Sequence, residues 1–291
     1  MTTVYLIDAS PYIFRAYYSL PPTIKSPDGM QANAVYGYTD FLIQILKESP
    51  THIAVAFDGN LNTSFRNKIY PEYKAQRGLP PPELEAQLEA CFKVTEAMGM
   101  PAFIDTEFEA DDIIGTLVDQ ILRKKSRAVV ISSDKDFAQF VNDSVVWWNF
   151  AKSEKLDVEA VIRKFGVRPE QIVDFLALKG DSVDNIPGVK GVGTKTATTL
   201  LHHFETLEDI YKNINQVENV KPRGAASLKE KLIDQREMAV LSKQLATIAL
   251  NAPVPIDLNA LEYVGANKAK IEPLFADLGF DEIKDRIPQW A

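Results

Sequence analysis

The stretch Val4-Tyr5-Leu6-Ile7-Asp8 is a short apolar run that ends in a carboxylate. The same pattern returns in Ile53-Ala54-Val55-Ala56-Phe57-Asp58, and Ala128-Val129-Val130-Ile131 leads through two serines to Asp134. Continuous apolar runs of this length, separated by helical patterns, are typical of parallel strands that are covered on both faces. We therefore predict an α/β fold with a mostly parallel central sheet, in which residues 145–148 are a candidate further strand.

The helical patterns divide the chain into two regions. In residues 1–150, helical patterns alternate with the apolar runs, at 12–19, 34–47, 82–98 and 110–123. Residues 151–291 are mainly helical, with patterns at 158–165, 169–178, 195–204, 207–213, 223–248 and 268–278. Since no repeat or long linker separates the two regions, we expect the helical region to pack on the α/β core as one unit with it.

The composition is that of an ordinary globular chain. Of the 291 residues, 46% are hydrophobic and 25% are charged, which argues against disorder. The single cysteine excludes an intrachain disulfide, and no stretch reaches the ~18 apolar residues of a membrane span. The first residues lack the basic start of a signal peptide, so we expect a cytoplasmic enzyme or binding protein. The net charge of −8 argues at first sight against a nucleic-acid partner, because phosphate contacts need Lys and Arg.

Carboxylates follow three of the predicted strands, as Asp8, Asp58 and Asp134. Because the carboxyl ends of parallel strands meet at one edge of a sheet, these acids are expected to converge there. More acids stand in Glu109-Ala110-Asp111-Asp112, where Glu109 and Asp112 are spaced to share a helix face, and at Asp136, Asp181 and Asp184. Each acid taken singly is well explained as a solvated cap or turn residue. Together they predict bound divalent cations, since so many like charges repel without them.

A glycine-rich hairpin, residues 180–193, leads into a predicted helix. Its glycines allow tight turns, and amides at a helix N-terminus can bind a phosphate. This pattern predicts a helix–hairpin–helix clamp on a duplex backbone, with a sharp helix–helix turn that binds nothing as the alternative. The candidate DNA contacts here are Gly188, Lys190, Gly191, Gly193 and Lys195.

Residues 64–77, which we call the basic segment, carry four basic side chains, one acid and several aromatic rings. Such a mixture suits contact with a nucleic-acid backbone and stacking on unpaired bases. The alternative is an exposed amphipathic helix with ordinary solvated charges. The candidate DNA contacts in the segment are Arg66, Lys68 and Tyr73, and weaker candidates are Tyr12 and Arg15 on the first helix.

Taken together, these motifs resemble the 5′ nuclease (flap endonuclease) superfamily, and most closely the 5′ nuclease domain of bacterial DNA polymerase I. The resemblance covers nearly the whole chain, about residues 4 to 278, and suggests a stand-alone nuclease or an isolated nuclease domain. The matching stretches include Leu6-Ile7-Asp8, Ala34-Val35-Tyr36-Gly37, Phe57-Asp58, Ser64-Phe65-Arg66, Tyr73-Lys74, Glu109-Ala110-Asp111-Asp112, Ser133-Asp134-Lys135-Asp136, Arg223-Gly224-Ala225 and Leu241-Ser242.

The resemblance implies a PIN-like fold with a helical arch over about residues 62–84 and a helix–hairpin–helix-type motif over about 174–204. It implies Mg²⁺ or Mn²⁺, two ions, and a K⁺ ion held near the backbone carbonyls of Val189 and Val192. It makes Lys74 and Arg77 the side chains that stabilise charge on the scissile phosphate, with Asp112 also in the catalytic set. The implied metal carboxylates, all present, are Asp8, Asp58, Glu109, Asp111, Asp112, Asp134, Asp136, Asp181 and Asp184.

The leading hypothesis is therefore metal-dependent hydrolysis of DNA at 5′ flaps and single-strand/duplex junctions, in replication and repair, by a monomer without a membrane partner. Two alternatives stay open: a non-catalytic junction-binding protein of the same fold, and a PIN-type ribonuclease. The net charge agrees with a DNA partner once the metal set is removed, because taking away nine carboxylates changes −8 to +1.

Overall fold

Six strands form one sheet, in the order β3-β2-β1-β4-β5-β6. The structure, a computed structural model, describes residues 1–59, 64–220, 227–254 and 257–291. Strands β1 to β5 pair in parallel, and β6 runs antiparallel to β5, so the predicted mostly parallel sheet is confirmed. Sequence reasoning missed the two short edge strands, β3 and β6. The bounds are β1 Thr3–Asp8, β2 His52–Asp58, β3 Ala102–Asp105, β4 Arg127–Ile131, β5 Val145–Asn149 and β6 Glu154–Leu156.

Helices cover both faces of the sheet. Among the predicted helices, the segment 223–248 differs most from the structure. Residues 223–226 lie outside the described residues, and the rest forms two helices that meet at Gln235. The bounds are α1 Ser10–Ser19, α2 Asn33–Leu46, α3 Phe65–Ile69, α4 Pro82–Ala97, α5 Ala110–Arg123, α6 Val158–Phe165, α7 Ile172–Lys179, α8 Thr194–Phe204, α9 Leu207–Lys212, α10 Leu228–Asp234, α11 Arg236–Ala246, α12 Lys268–Leu278 and α13 Asp281–Lys284.

The two faces of the sheet are buried in separate apolar cores. Alternation along β1 places Leu6 in the core formed with α5, α7, α8 and α11, and Ile7 in the core formed with α1, α2 and α4. The second core also contains Ile271 and Phe275 of α12, so the last helices return to the N-terminal half of the chain. Burial on both faces explains why the strands read as continuous apolar runs.

The segment expected to form a helical arch is only partly helical. Residues 62 and 63 lie outside the described residues, and the next helix is the short α3. Residues 70–81 form turns and irregular backbone. Pro71, Pro80 and Pro81, which cannot donate the backbone hydrogen bonds of a helix interior, stand near the two ends of this stretch. In the described part of the chain, no helix is both long enough and apolar enough to span a membrane.

Candidate active site

Four carboxylates face one cleft of about 660 Å³ at the carboxyl edge of the sheet. Asp8 ends β1, Asp58 ends β2, Asp134 follows β4, and Asp111 lies in the first turn of α5. Parallel strands all point their carboxyl ends to the same edge, which is why residues so far apart in sequence meet here. Lys74, Arg77 and Lys135 line the same cleft.

These carboxylates repel one another in a poorly solvated place. Burial, together with the charge of Asp58, raises the pKa of the Asp8 carboxyl well above its usual range. Burial and the charges of Asp134 and Asp8 likewise raise the pKa of Asp111. Like charges in a buried site favour the protonated form unless a cation is bound.

Asp136, Asp181 and Asp184 form a second group, each offering an oxygen within 4.8 Å of the others. Burial and the charge of Asp134 raise the pKa of Asp136 to about 7. Its buried Oδ1 has no hydrogen-bond partner. The Lys135 ammonium lies 3.4 Å from this oxygen and 2.5 Å from Asp181 Oδ2. Several carboxylate oxygens so close together are the ligands that a hard divalent cation prefers, so these residues fit such an ion.

Glu109 and Asp112 both pair with the buried guanidinium of Arg66. Arg66 Nη1 lies 3.0 Å from Glu109 Oε2, and Arg66 Nη2 lies 2.7 Å from Asp112 Oδ1. Burial would raise the pKa of Glu109, but the charges of Lys74 and Arg66 outweigh it and hold this pKa below its usual range. The spacing of Glu109 and Asp112 does place them on one face, and that face meets Arg66.

The basic segment is bound to the loop that carries Asp184. The Lys74 amide donates to the Asp184 carbonyl at 3.0 Å, and Gln76 Nε2 donates to the carbonyls of Ser182 and Val183. The Lys74 ammonium lies 2.8 Å from Glu109 Oε1, and Arg77 Nη2 lies 2.5 Å from Asp184 Oδ1. Both cations therefore lie against these acids, and both line the cleft.

The hairpin joins α7 to α8 through a tight turn. Gly188 has a φ of 65°, and a Cβ there would lie 2.2 Å from the Gly180 backbone nitrogen, so only glycine fits. Its amide donates to Ser242 Oγ at 2.9 Å. Lys190, Gly191, Gly193 and Lys195 are exposed, whereas the Val189 and Val192 side chains are buried.

Three expected DNA contacts require correction, because their side chains are buried. Arg66 is 2% exposed and pairs with acids, and Tyr73 is 3% exposed and donates to Glu109 Oε2. Tyr12 is 5% exposed and stacks on Phe41, with ring centroids 3.9 Å apart.

Asp112, an expected metal ligand, is fully buried and does not line the cleft, and its metal-binding role stays a prediction. Arg15 and Lys68 are exposed, as a DNA contact needs.

Sequence reasoning missed three polar residues that hold the acids in place. Ser132 Oγ donates to Asp8 Oδ2 at 2.6 Å, and Ser10 Oγ donates to Asp58 Oδ2 at 2.6 Å. Lys135 Nζ lies 2.5 Å from Asp181 Oδ2. The only sequence signal for them is adjacency: Ser10 follows Asp8 by two residues, and Lys135 stands between Asp134 and Asp136.

Comparison with known proteins agrees with this architecture. Residues 3–166 match the family model described as 5′-3′ exonuclease, N-terminal resolvase-like domain, and residues 167–269 match 5′-3′ exonuclease, C-terminal SAM fold. This chain belongs to the 5′-3′ exonuclease family. The resemblance found in its motifs is thereby confirmed.

Relatives of this exonuclease-family chain include DNA polymerase I of Bacillus caldotenax, which is 41% identical over 97% of the chain. DNA polymerase I of Pseudomonas aeruginosa is 39% identical, again over 97% of the chain. The chain spans only about a third of their length, 32% and 31%.

Solved structures share the fold. The bacteriophage T5 D15 flap endonuclease in complex with DNA and metal ions matches with a TM-score of 0.69 at 22% identity, covering 97% of this chain and 99% of that one. The catalytic core of Rad2 in complex with DNA substrate matches with a TM-score of 0.63 at 14% identity, covering 98% and 91%. The α/β core with its C-terminal helical region is thus a known arrangement.

Proposed function

We propose that this chain hydrolyses DNA phosphodiesters at 5′ flaps and 5′ ends, with divalent metal, in replication and repair. The observation that carries the proposal is the cleft, in which Asp8, Asp58, Asp111 and Asp134 face Lys74 and Arg77. Carboxylates that can hold divalent metal ions, next to Lys and Arg side chains that can bind a phosphate, are the groups that metal-dependent phosphodiester hydrolysis requires. Family membership supports the proposal, as do the DNA complexes of the T5 and Rad2 nucleases.

Two groups of acids would hold the metal, Mg²⁺ or Mn²⁺, as two ions. One group is Asp8, Asp58, Asp111 and Asp134, with Glu109 beside them, and the other is Asp136, Asp181 and Asp184. Bound there, divalent ions would supply Lewis acidity toward water and the phosphodiester. Ser132 and Ser10 hold Asp8 and Asp58 in place through their hydroxyl groups.

Lys74 and Arg77 are proposed to contact the scissile phosphate. In the structure their charges are neutralised by Glu109 and Asp184, at 2.8 and 2.5 Å. Divalent ions held by those acids would offset their charge, and would leave the ammonium and guanidinium groups free to bind a phosphate in the cleft that both already line. A cation that is aimed at the phosphate stabilises the charge that develops in the transition state.

The hairpin is proposed to hold the duplex and set its distance from the cleft. Its exposed Lys190 and Lys195 flank glycines that let a phosphate approach the backbone. A K⁺ ion at the carbonyls of Val189 and Val192 would complete this contact. Arg15 and Lys68 are the remaining exposed cations proposed to touch DNA. We further propose that the chain acts as a monomer in the cytoplasm, where the DNA of its bacterial relatives lies.

The direct test is cleavage of a 5′-flap duplex with and without Mg²⁺. We expect cleavage near the junction that needs Mg²⁺ and is lost in Asp8→Asn purified in the same way. The same rate in both proteins would mean a contaminating nuclease, and no cleavage by either would refute catalysis. Matched RNA and DNA flaps separate this function from a PIN-type ribonuclease. Tight junction binding without any cleavage would favour the non-catalytic alternative.

A further inference from the structure

We propose that Asp112 is not a metal ligand, and that Arg66 and Asp112 form a clamp that positions the metal-facing residues around them. The clamp consists of Arg66, Asp112 and the four partners that Arg66 or Asp112 also binds: Glu109, Leu245, Thr247 and Ala249. This inference deepens the proposed function, and its metal-binding and kinetic readouts rest on it. Its stability readout does not, because that readout uses the metal-free protein.

The hydrogen-bond acceptors of Asp112 are all in use. Its Oδ1 accepts from Arg66 Nη2 at 2.7 Å and from the Ala249 amide at 2.8 Å. Its Oδ2 accepts from Arg66 Nη1 at 2.8 Å and from the Glu109 amide at 3.1 Å. A carboxylate has about four lone-pair positions, so four protein donors leave none for a cation.

The donors of Arg66 are also all in use. Besides Glu109 and Asp112, its guanidinium donates to the carbonyls of Leu245 and Thr247, at 3.0 and 2.8 Å. These carbonyls stand at the C-terminal end of α11, where a helix leaves carbonyl groups without partners. A guanidinium has five N–H groups, and the five bonds use each of them once.

Asp111 provides the internal contrast. It is the neighbour of Asp112 in the first turn of α5, but successive helical residues point about 100° apart. Asp111 therefore faces the cleft, whereas Asp112 faces the buried guanidinium. The two neighbours are assigned opposite roles: Asp111 binds the cation, and Asp112 binds the protein.

Hydrogen bonds connect the clamp to Glu109 and to the basic segment that carries Lys74 and Arg77. Arg66 begins the basic segment, which carries Lys74 and Arg77, and Tyr73 of that segment donates to the Glu109 oxygen that Arg66 also binds. Arg66 thus fixes the start of the segment to α5 on one side and to α11 on the other. It is a positioning residue for Glu109 and Lys74.

The test compares Asp112→Asn with the matched control Asp111→Asn, first by thermal melting in EDTA and then by Mn²⁺ titration. Removing a repelling metal ligand should raise the melting temperature of the metal-free protein, as we expect for Asp111→Asn. Removing half of a buried ion pair should lower it, by about 6–15 °C for Asp112→Asn. Mn²⁺ affinity should fall at least about tenfold in Asp111→Asn and stay within about threefold of wild type in Asp112→Asn.

The opposite pattern overturns the proposal: an unchanged or raised melting temperature in Asp112→Asn together with a tenfold loss of Mn²⁺ affinity. If Asp112→Asn does not fold in EDTA, the clamp is supported, because relief of repulsion between acids cannot unfold a protein. If wild type binds no Mn²⁺, the proposed function fails while the melting comparison still tests the clamp.

Arg66→Lys gives an independent readout of positioning. Lysine keeps the charge but loses the planar fork that binds Asp112 and the α11 carbonyls together. Below its melting temperature, we expect kcat for flap cleavage to fall about tenfold while KM stays within about twofold. Unchanged kcat, or a loss that lies entirely in KM, would show that Arg66 does not position the reacting groups.

Discussion

The cleft and the Arg66 clamp hold carboxylates of the same kind in opposite electrostatic states. In the cleft, burial and neighbouring acids raise the pKa of Asp8 and Asp111. In the clamp, Lys74 and Arg66 outweigh burial and hold the pKa of Glu109 down. The difference lies in the protein's own cations. Glu109 lies against Arg66 and Lys74, which offset its charge, so removing either cation would leave a buried charge uncompensated. Among the described residues no ion pair forms at Asp8 or Asp111, so their repulsion favours an added ion.

The largest expected effect on stability comes from breaking the clamp. Arg66→Met leaves Asp112 buried without its cation, which should lower the free energy of unfolding by about 3–5 kcal/mol. Urea unfolding measures this, with Arg163→Met, which removes only an exposed pair with Glu159, as the matched control. Equal losses in the two variants would mean that the buried pair contributes no more than a surface pair.

The next effect concerns Lys74, which belongs to both regions because it lines the cleft and binds Glu109. Lys74→Ala should slow flap cleavage about a hundredfold, since a cation aimed at the reacting phosphate is lost. Duplex binding, which we propose for the hairpin, should change little. Single-turnover cleavage and a binding isotherm separate the two. Lys74→Arg keeps a cation and should recover part of the rate, and a normal rate in Lys74→Ala would remove Lys74 from the catalytic residues.

A smaller effect is the pH dependence of the metal-free protein. The pKa of Asp136 is raised to about 7 from an ordinary 3.8, so near pH 6 the folded state holds a proton that the unfolded state has released. Stability should therefore fall as pH rises toward about 7, on the order of 1–2 kcal/mol, and saturating Mg²⁺ should remove this fall. Melting curves in EDTA and in Mg²⁺ measure both. Stability that rises over this range in EDTA would contradict the effect of burial and of the neighbouring Asp134 charge on Asp136.

The smallest effect is expected at an exposed pair. Lys68 Nζ lies 2.6 Å from Glu107 Oε1, but both side chains are more than half exposed. Lys68→Ala should change the free energy of unfolding by less than about 0.5 kcal/mol, because solvent screens such pairs. A loss above about 1 kcal/mol in urea unfolding would show that burial is not what separates the clamp from the surface.

Much of the fold could be predicted from local patterns. Helix α5 was predicted with its observed bounds, and β1, β2, β4 and β5 were all found, because each is a regular segment with a buried face. The short edge strands β3 and β6 were missed, since four and three residues carry too little periodicity. The arch over residues 62–84 was predicted from the resemblance, and its described residues hold only the short helix α3 and the first turn of α4.

By itself, the sequence determined which acids are available and which strands carry them to the edge of the sheet. Continuous apolar runs that alternate with helices indicate parallel strands, and the carboxyl ends of parallel strands share one edge. Only the tertiary structure decided which acids face the cleft and which face a cation. Asp111 and Asp112 are adjacent and chemically identical, and their roles separate because Arg66, 46 residues away from Asp112 in the chain, is folded against one of them. Long-range pairing of this kind leaves no local pattern in the sequence, since it depends on which distant side chain is buried against the acid.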